Sequence, residues 1–160
     1  MVKILRVDER LLHGQVAVTW VSNVNPSSIL IANDEVMDNE MSKMALKMAK
    51  PNGVNLAIRS IDDGAGILND PRSENIQIFV IVKTIADAVR LAEKTNCIKH
   101  VNIGGIRKRE GGKLIAPAVY VNDQDIENLK KLQTMVDVIE FRMVPSDSTK
   151  KLDEVLKNLE

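Results

Sequence analysis

Short runs of β-branched and other apolar residues alternate along this chain with longer segments whose apolar residues repeat at helical spacing. Such alternation predicts right-handed strand–helix–strand crossovers and a mostly parallel α/β sheet with helices on both faces. Several runs are apolar almost throughout, which is typical of strands that are covered on both faces. The predicted strands are residues 2–7, 28–32, 54–58, 76–82, 100–103 and 138–144.

Helices are predicted from apolar spacing and from N-cap residues. In segments 85–92 and 152–159, apolar residues recur at i, i+3, i+4 and i+7. Thr84 and Asn122 are each followed three residues later by an aspartate. That is the spacing of an N-cap and an acid in the first turn, so we expect helices to begin directly after both residues.

One segment departs from the alternation. Between residues 107 and 121, Gly111, Gly112 and Pro117 predict a turn and a short extra strand, which we expect to be antiparallel. No repeat, linker or shift in composition divides the 160 residues. The prediction is therefore one open, twisted sheet in a single domain over residues 1–160.

Composition argues against several classes of protein. The 22 basic and 22 acidic residues cancel, and one Trp, one Tyr and two Phe offer few stacking platforms, so nucleic acid is not an expected partner. No apolar run approaches the roughly 20 residues that span a bilayer. Charges within the first ten residues argue against a signal peptide, and the single Cys97 fits a reducing compartment. We therefore expect a cytoplasmic protein.

Chemistry-bearing residues are concentrated in the turn after the first predicted strand, and ligands of open α/β sheets bind beyond the carboxyl ends of strands. His13 could attack phosphorus, because a neutral imidazole predominates above its ordinary pKa of about 6.5. Arg10 could donate paired hydrogen bonds to phosphoryl oxygens, and the free amides at Gly14 and Gln15 could bind an anion at a helix start. Asp8 could hold Arg10 in place or fix the tautomer of His13. These residues favour phosphoryl transfer through histidine, with a surface ion-pair cluster as the plainer alternative.

The stretch RVDERLLHGQVAVTW resembles the active-site segment of the enzyme IIB component of the mannose/fructose/sorbose family of the bacterial sugar phosphotransferase system. Segments 31–36, 51–54, 101–106 and 119–126 are similar to the corresponding family segments, in the same order. The resemblance implies an open α/β sheet and a transient phosphoryl group on Nδ1 of His13. It also implies that Arg10 supports the phosphoryl group, that Asp8 lies beside it, and that Gly14 and Gln15 form the turn that cradles it.

The resemblance also implies partners. A mannose-family IIA component would donate the phosphoryl group from its own phosphohistidine, and a sugar held by the membrane IIC and IID components would receive it. Neither a metal nor a cofactor is required. The protein would be peripherally associated with the permease and could form a homodimer. The sugar stays open among mannose, fructose, sorbose and N-acetylhexosamines, because the permease holds it.

Two other classes compete with a phosphocarrier. A receiver-like signalling domain also carries acids after its first strand, as Asp8 and Glu9 do here, and Lys or Thr after a later one, as Lys83 and Thr84 do. The third predicted strand, however, is followed by Arg59 and not by the phosphoacceptor aspartate that a receiver needs. In a non-catalytic binding module, His13 would simply pack.

Three further residue types have plain structural interpretations. We interpret His100 as a structural or surface histidine and Cys97 as a small buried residue. Gly104 and Gly105 follow a predicted strand without the three-glycine dinucleotide pattern, so we expect a tight turn that lets the backbone approach the His13 loop.

Two runs of like residues stand out. Four methionines at i, i+4, i+7 and i+11 predict one stripe of a helix, namely Met37, Met41, Met44 and Met48. Such a stripe could serve as an adaptable docking face, but we expect it to face the core. A basic run would ordinarily be a solvated loop, but its place near the strand ends also suits contact with a phosphorylated partner. The run consists of Arg107, Lys108, Arg109 and Lys113.

Overall fold

The computed structural model describes residues 1–159, apart from the side chain of Gln15. The described strands are β1 (Val2–Asp8), β2 (Ser28–Ala32), β3 (Asn55–Arg59), β4 (Ile78–Val82), β5 (His100–Gly105), β6 (Lys113–Ala116), β7 (Val119–Val121), β8 (Val138–Phe141) and β9 (Lys150–Lys151). The described helices are α1 (Gly14–Val24), α2 (Asp34–Met37), α3 (Glu40–Ala49), α4 (Ile61–Asn69), α5 (Ile85–Lys94), α6 (Asp123–Gln133) and α7 (Leu152–Lys157). A 3₁₀ turn covers Pro71–Ser73.

Seven strands form one sheet in the order β3-β2-β4-β1-β5-β8-β9. All neighbours in it are parallel except β9, which pairs antiparallel with β8. The segment after β5 forms a separate antiparallel hairpin of β6 and β7. The predicted α/β class, with a mostly parallel sheet and an antiparallel strand, is confirmed. The antiparallel strand of the sheet is β9, however, and the segment predicted to supply it forms the two strands of the hairpin.

The sheet separates two apolar cores. Helices α4, α5, α6 and α7 pack on one face, and α1, α2 and α3 pack on the other. Thr84 and Asn122 are the N-caps of α5 and α6, as predicted, and Asn122 forms a full capping box with Asp125.

The order of the strands opens a crevice between two neighbours, β4 and β1. The chain leaves β1 through α1 on one face towards β2, whereas it leaves β4 through α5 on the opposite face towards β5. Because α1 and α5 lie on opposite faces of the sheet, neither helix covers the space beyond the carboxyl ends of β4 and β1. This space is called the switch-point crevice below.

Strand β8 ends earlier than predicted, at Phe141 and not at residue 144. The amides of Met143 and Val144 both donate to the Asp147 carboxylate at 3.2 Å, which turns the chain away from the sheet. Pro145 follows directly and has no amide hydrogen to donate to a ladder. The same loop becomes part of the site described below.

The prediction that the methionine stripe faces the core is wrong. Met41, Met44 and Met48 are 84%, 64% and 81% exposed, and only Met37 is half-buried. Helix α3 carries a second apolar stripe that includes Leu46 and Ala49, and that stripe packs on the sheet. Because α3 lies near the edge strand β3 and packs with one face only, the methionine face is left exposed.

No helix in the described part of the chain is both long and apolar enough to cross a membrane.

Candidate functional site

The site is built on the loop that joins β1 to α1. Leu11 and Leu12 are buried and anchor this loop, and Leu11 takes a left-handed backbone conformation with φ of 57°. The amide of Leu11 donates to the Asp8 carbonyl at 2.9 Å, which closes a tight turn. The chain then reaches His13, the N-cap of α1, at the mouth of the switch-point crevice.

His13 is held by Asp8. Its Nε2 lies 3.2 Å from Asp8 Oδ2, the imidazole is 21% exposed, and the carboxylate is almost fully buried. Of the two roles predicted for Asp8, the geometry favours the one that fixes the histidine ring. Asp8 contacts Arg10 only through the backbone, where the Arg10 amide donates to Asp8 Oδ1 at 3.0 Å. Nδ1 of His13 has no partner among the described side chains.

Behind Asp8 lies Arg6, which the sequence analysis missed. Its guanidinium is buried and donates to Asp8 Oδ2 at 3.1 Å and to Asn102 Oδ1 at 2.5 Å. It also donates to the carbonyls of Arg142 and Met143, at 3.1 and 3.0 Å. Burial pulls the pKa of Arg6 below its usual value, and the Asp8 carboxylate opposes that shift. Arg6 therefore fixes the carboxylate that in turn fixes His13.

Arg6 is clamped between an indole and a glycine. Its guanidinium carbon lies 4.9 Å from the centre of the Trp20 ring, and Trp20 itself is bonded through Nε1 to the Met143 carbonyl at 2.9 Å. On β5, a Cβ added to Gly104 would come within 2.1 Å of the same carbon. Gly104 and Gly105 lie within β5, so the predicted tight turn is wrong. The predicted close approach is right, because the Glu9 amide donates to the Gly105 carbonyl at 3.0 Å.

We expect Gly104→Ala to lower the free energy of unfolding by about 2 kcal/mol, because the methyl group must displace the clamped Arg6 guanidinium. Gly66→Ala is the matched control. Gly66 lies within α4, is exposed and has open space around its Cβ position, so this change is expected to stabilise by about 0.5–1 kcal/mol. Urea unfolding of both variants measures the two effects. Equal stability of the two variants would contradict the clamp.

Arg10 lies at the surface of the crevice. Its side chain is exposed and its guanidinium has no partner among the described side chains, so it is free to bind an anion. It lines a cavity of about 460 Å³ together with other residues of the β1–α1 loop, residues of α2 and α3, and Lys83 directly after β4. The polar or charged residues of this cavity are Glu9, Arg10, His13, Asn33, Glu35, Asn39, Ser42 and Lys83.

The first turn of α1 lacks a side-chain cap. His13 is extended, with φ of −151°, and its side chain accepts no hydrogen bond from the helix. Gly14 follows with a left-handed φ of 46°, a conformation that favours glycine. The backbone of Gly14 and Gln15 thus opens α1, as predicted, but the Gln15 side chain lies outside the described structure. The positive end of the helix dipole is directed at the crevice.

A second buried carboxylate supports the loop after β8. Glu140 is 1% exposed and bonds His100 Nε2 at 2.8 Å and Arg142 Nε at 2.5 Å. Burial alone would raise the pKa of Glu140, but the hydrogen bonds from His100 and Arg142 outweigh it and lower the pKa to about 2. Arg142 also lies over Trp20, 5.3 Å from the ring centre. His100 thus has a structural role, as predicted.

The lowered pKa predicts a pH dependence of stability. A carboxyl group that titrates near 2 when folded and near 4.5 when unfolded contributes about 3 kcal/mol at pH 7, and this contribution is lost as the pH falls towards 2. Glu140→Gln is therefore expected to destabilise strongly at pH 7 and much less at pH 3. Denaturant unfolding at both pH values measures the difference, with the exposed Glu154→Gln as control. A destabilisation that does not change with pH would contradict this assignment.

The basic run is partly structural. Arg107 is exposed and pairs with Glu9 at 2.9 Å, and Arg109 pairs with Asp125, the residue that completes the capping box of Asn122 in α6. Lys108 and Lys113 are exposed.

Cys97 lies outside this run and is only half-buried, with its Sγ 3.2 Å from Thr95 Oγ1, so its predicted burial is confirmed only in part.

Comparison with known proteins identifies the family. The protein-family model described as "PTS system sorbose subfamily IIB component" matches residues 2–160 of this chain. The chain belongs to this family. It is 36% identical over 155 residues to a probable phosphotransferase enzyme IIB component of Streptococcus pyogenes serotype M6, across 94% of this chain and 95% of that protein.

The other relatives agree with this membership. The chain is 30% identical over 160 residues to the mannose-specific EIIAB component of Escherichia coli; the match covers 100% of this chain but only 50% of that longer protein. The IIBSor domain of the sorbose permease from Klebsiella pneumoniae has a similar solved structure, with a TM-score of 0.93 and 27% identity over 100% of this chain and 98% of that domain. This IIB component is accordingly a phosphotransferase of a sugar-uptake system, and the receiver-like alternative is wrong.

Proposed function

We propose that His13 of this IIB component accepts a phosphoryl group on Nδ1 from the phosphohistidine of a mannose-family IIA component. The group then passes to a sugar held by the membrane IIC and IID components. One observation carries the proposal: buried Asp8 engages Nε2 of His13 at 3.2 Å, which leaves Nδ1 as the ring nitrogen that can attack. The ring lies at the crevice of the fold, where ligands of open α/β sheets bind.

The first transfer moves one phosphoryl group between two imidazoles. The donor N–P bond breaks as a bond forms between phosphorus and Nδ1 of His13, and the donor ring leaves as a neutral imidazole with its proton on the other nitrogen. His13 keeps its proton on Nε2 and becomes a positively charged phosphoimidazolium. The Asp8 carboxylate next to Nε2 stabilises that charge, and Arg6 holds the carboxylate in place.

Arg10 and the start of α1 hold the phosphoryl oxygens. The free Arg10 guanidinium donates to two oxygens, and the backbone amides of Gly14 and Gln15 supply further donors with the helix dipole behind them. In the second transfer, the N–P bond to His13 breaks, an O–P bond to the sugar forms, and the hydroxyl proton is lost to solvent. His13 returns to a neutral imidazole.

The partners follow from these two steps. A relative described as an EIIAB component, of which this chain matches half, supports a IIA domain as the donor. Passing the group to a membrane permease would place the IIB component at the cytoplasmic face of the membrane, in peripheral association. In the basic run, exposed Lys108 follows Arg107, which pairs with Glu9, and exposed Lys113 begins β6; both lysines suit contact with the phosphorylated donor.

Mass spectrometry tests the proposal. The protein is incubated with phosphoenolpyruvate, the general phosphotransferase proteins and a mannose-family IIA component. We expect one added phosphoryl group, localised to His13 by tandem spectra, stable in alkali and labile in acid. A label on another residue, or one destroyed by alkali, would overturn the assignment to His13. No label from several competent IIA donors would favour a non-catalytic binding module.

A further inference from the structure

Lys83 directly follows β4, the strand next to β1, and lines the cavity at which His13 lies. Strands β1 and β4 are parallel, and Val7 pairs with Val82 at their carboxyl ends. Asp8 is the next residue of β1, and Lys83 is the first residue after β4, so the two lie side by side where these strands end at the switch-point crevice. Lys83 lines the same cavity as His13 and Arg10.

The partner of Lys83 is easily replaced. Its ammonium lies 3.3 Å from Glu35 Oε2, and the Glu35 side chain is 78% exposed while that of Lys83 is 34% exposed. Exposed pairs of this kind contribute little to stability, because water solvates both charges. Glu35 therefore neutralises Lys83 at the cavity without locking it there.

We propose that Lys83 is a second phosphoryl-binding cation, which exchanges Glu35 for the phosphoryl oxygens when His13 is loaded. The inference rests on the proposed phosphorylation of His13. A phosphoryl dianion carries more charge than a carboxylate and offers three acceptor oxygens, so it competes well for an ammonium in this cavity. A lysine on a flexible stem can follow the group as a point charge, whereas the planar Arg10 fork binds in one orientation.

The exchange predicts opposite effects for the two partners. Without Lys83, the phosphoryl dianion loses a neighbouring positive charge, so its second protonation occurs at higher pH. Without the Glu35 charge, the dianion has one less repulsive neighbour, so the protonation midpoint falls. The midpoint is therefore a direct readout of both residues, and a merely structural role for Lys83 would leave it unchanged.

The test compares Lys83→Gln, Glu35→Gln and a matched control, Lys94→Gln. Lys94 is also exposed and paired with an exposed carboxylate, Asp62, at 3.0 Å. It lies at the opposite end of α5, about 15 Å further along the helix axis. Two quantities are measured: the rate of phosphoryl uptake from a phosphorylated IIA component, and the pH midpoint of the ³¹P resonance of the phosphorylated protein.

We expect Lys83→Gln to slow uptake about tenfold and to raise the ³¹P midpoint, as the loss of one charge-assisted hydrogen bond requires. Glu35→Gln should lower the midpoint, and Lys94→Gln should change neither quantity. A Lys83→Gln protein with the wild-type midpoint overturns the inference, whether or not its uptake is slower. If the wild-type protein itself is not labelled on His13, the proposed function fails instead, so the two failures are distinguishable.

Discussion

Replacing His13 by alanine is expected to abolish phosphoryl uptake and to leave the fold intact. Among the described side chains, the imidazole bonds only Asp8, and it is 21% exposed, so we expect its loss to change the free energy of unfolding by no more than about 1 kcal/mol. Asp8 stays paired with Arg6 in the variant, so no buried charge is left without a partner. Intact-mass spectrometry after incubation with the donor proteins measures uptake, and urea unfolding measures stability.

The second histidine provides the control for this variant. His100 is bonded to buried Glu140, and its side chain lies on β5 at the amino end of the strand, away from the crevice. His100→Ala should lose stability and still take up one phosphoryl group at a temperature where it is folded. Uptake that persists in His13→Ala, or that depends on His100, would contradict the assignment.

Replacing Asp8 by asparagine is expected to slow phosphoryl uptake by about 10²–10⁴-fold. Asparagine keeps the shape of the side chain but removes the charge that stabilises the phosphoimidazolium, and its amide need not hold Nε2 in the protonated form. The change also leaves the buried Arg6 without its ionic partner, so the variant should be less stable by about 3 kcal/mol.

The kinetic effect of Asp8→Asn must therefore be separated from unfolding. Uptake is measured at a temperature at which circular dichroism shows the variant to be folded, with Asp70→Asn as the control. Asp70 pairs with exposed Arg72 outside the crevice, so this substitution should leave the uptake rate unchanged. An Asp8→Asn rate within threefold of wild type would show that the carboxylate only supports the fold.

Local sequence signals were sufficient for most of the architecture. The strand over residues 28–32 and the two helix N-caps, Thr84 and Asn122, agree with the structure. Each depends on residues that are close together in the chain, such as an apolar run or a cap and its first turn. The Asp8–His13 contact is similarly local, because both ends of one short loop define it.

The missed features depend on contacts between distant residues. Arg6 is bonded to Asn102 and to the carbonyls of residues 142 and 143, which no short-range pattern connects to β1. A signal for it exists: Arg6 lies between the apolar residues Leu5 and Val7, and the two-residue period of a strand places it on the same face as Asp8. The methionine stripe was predicted to face the core and does not. Periodicity shows that a helix face is apolar, but it does not show whether another element covers that face.

The ring nitrogen that carries the phosphoryl group is the sharpest test of the roles proposed for Asp8 and His13. The protein, labelled with ¹⁵N in its histidines, is phosphorylated by the donor proteins, and two-dimensional ¹H–¹⁵N spectra identify which ring nitrogen carries the phosphoryl group. Because Asp8 engages Nε2, we expect a phosphoryl group on Nδ1 of His13 and a proton on Nε2. A phosphoryl group on Nε2 would show that Asp8 is not the group that orients the attacking ring.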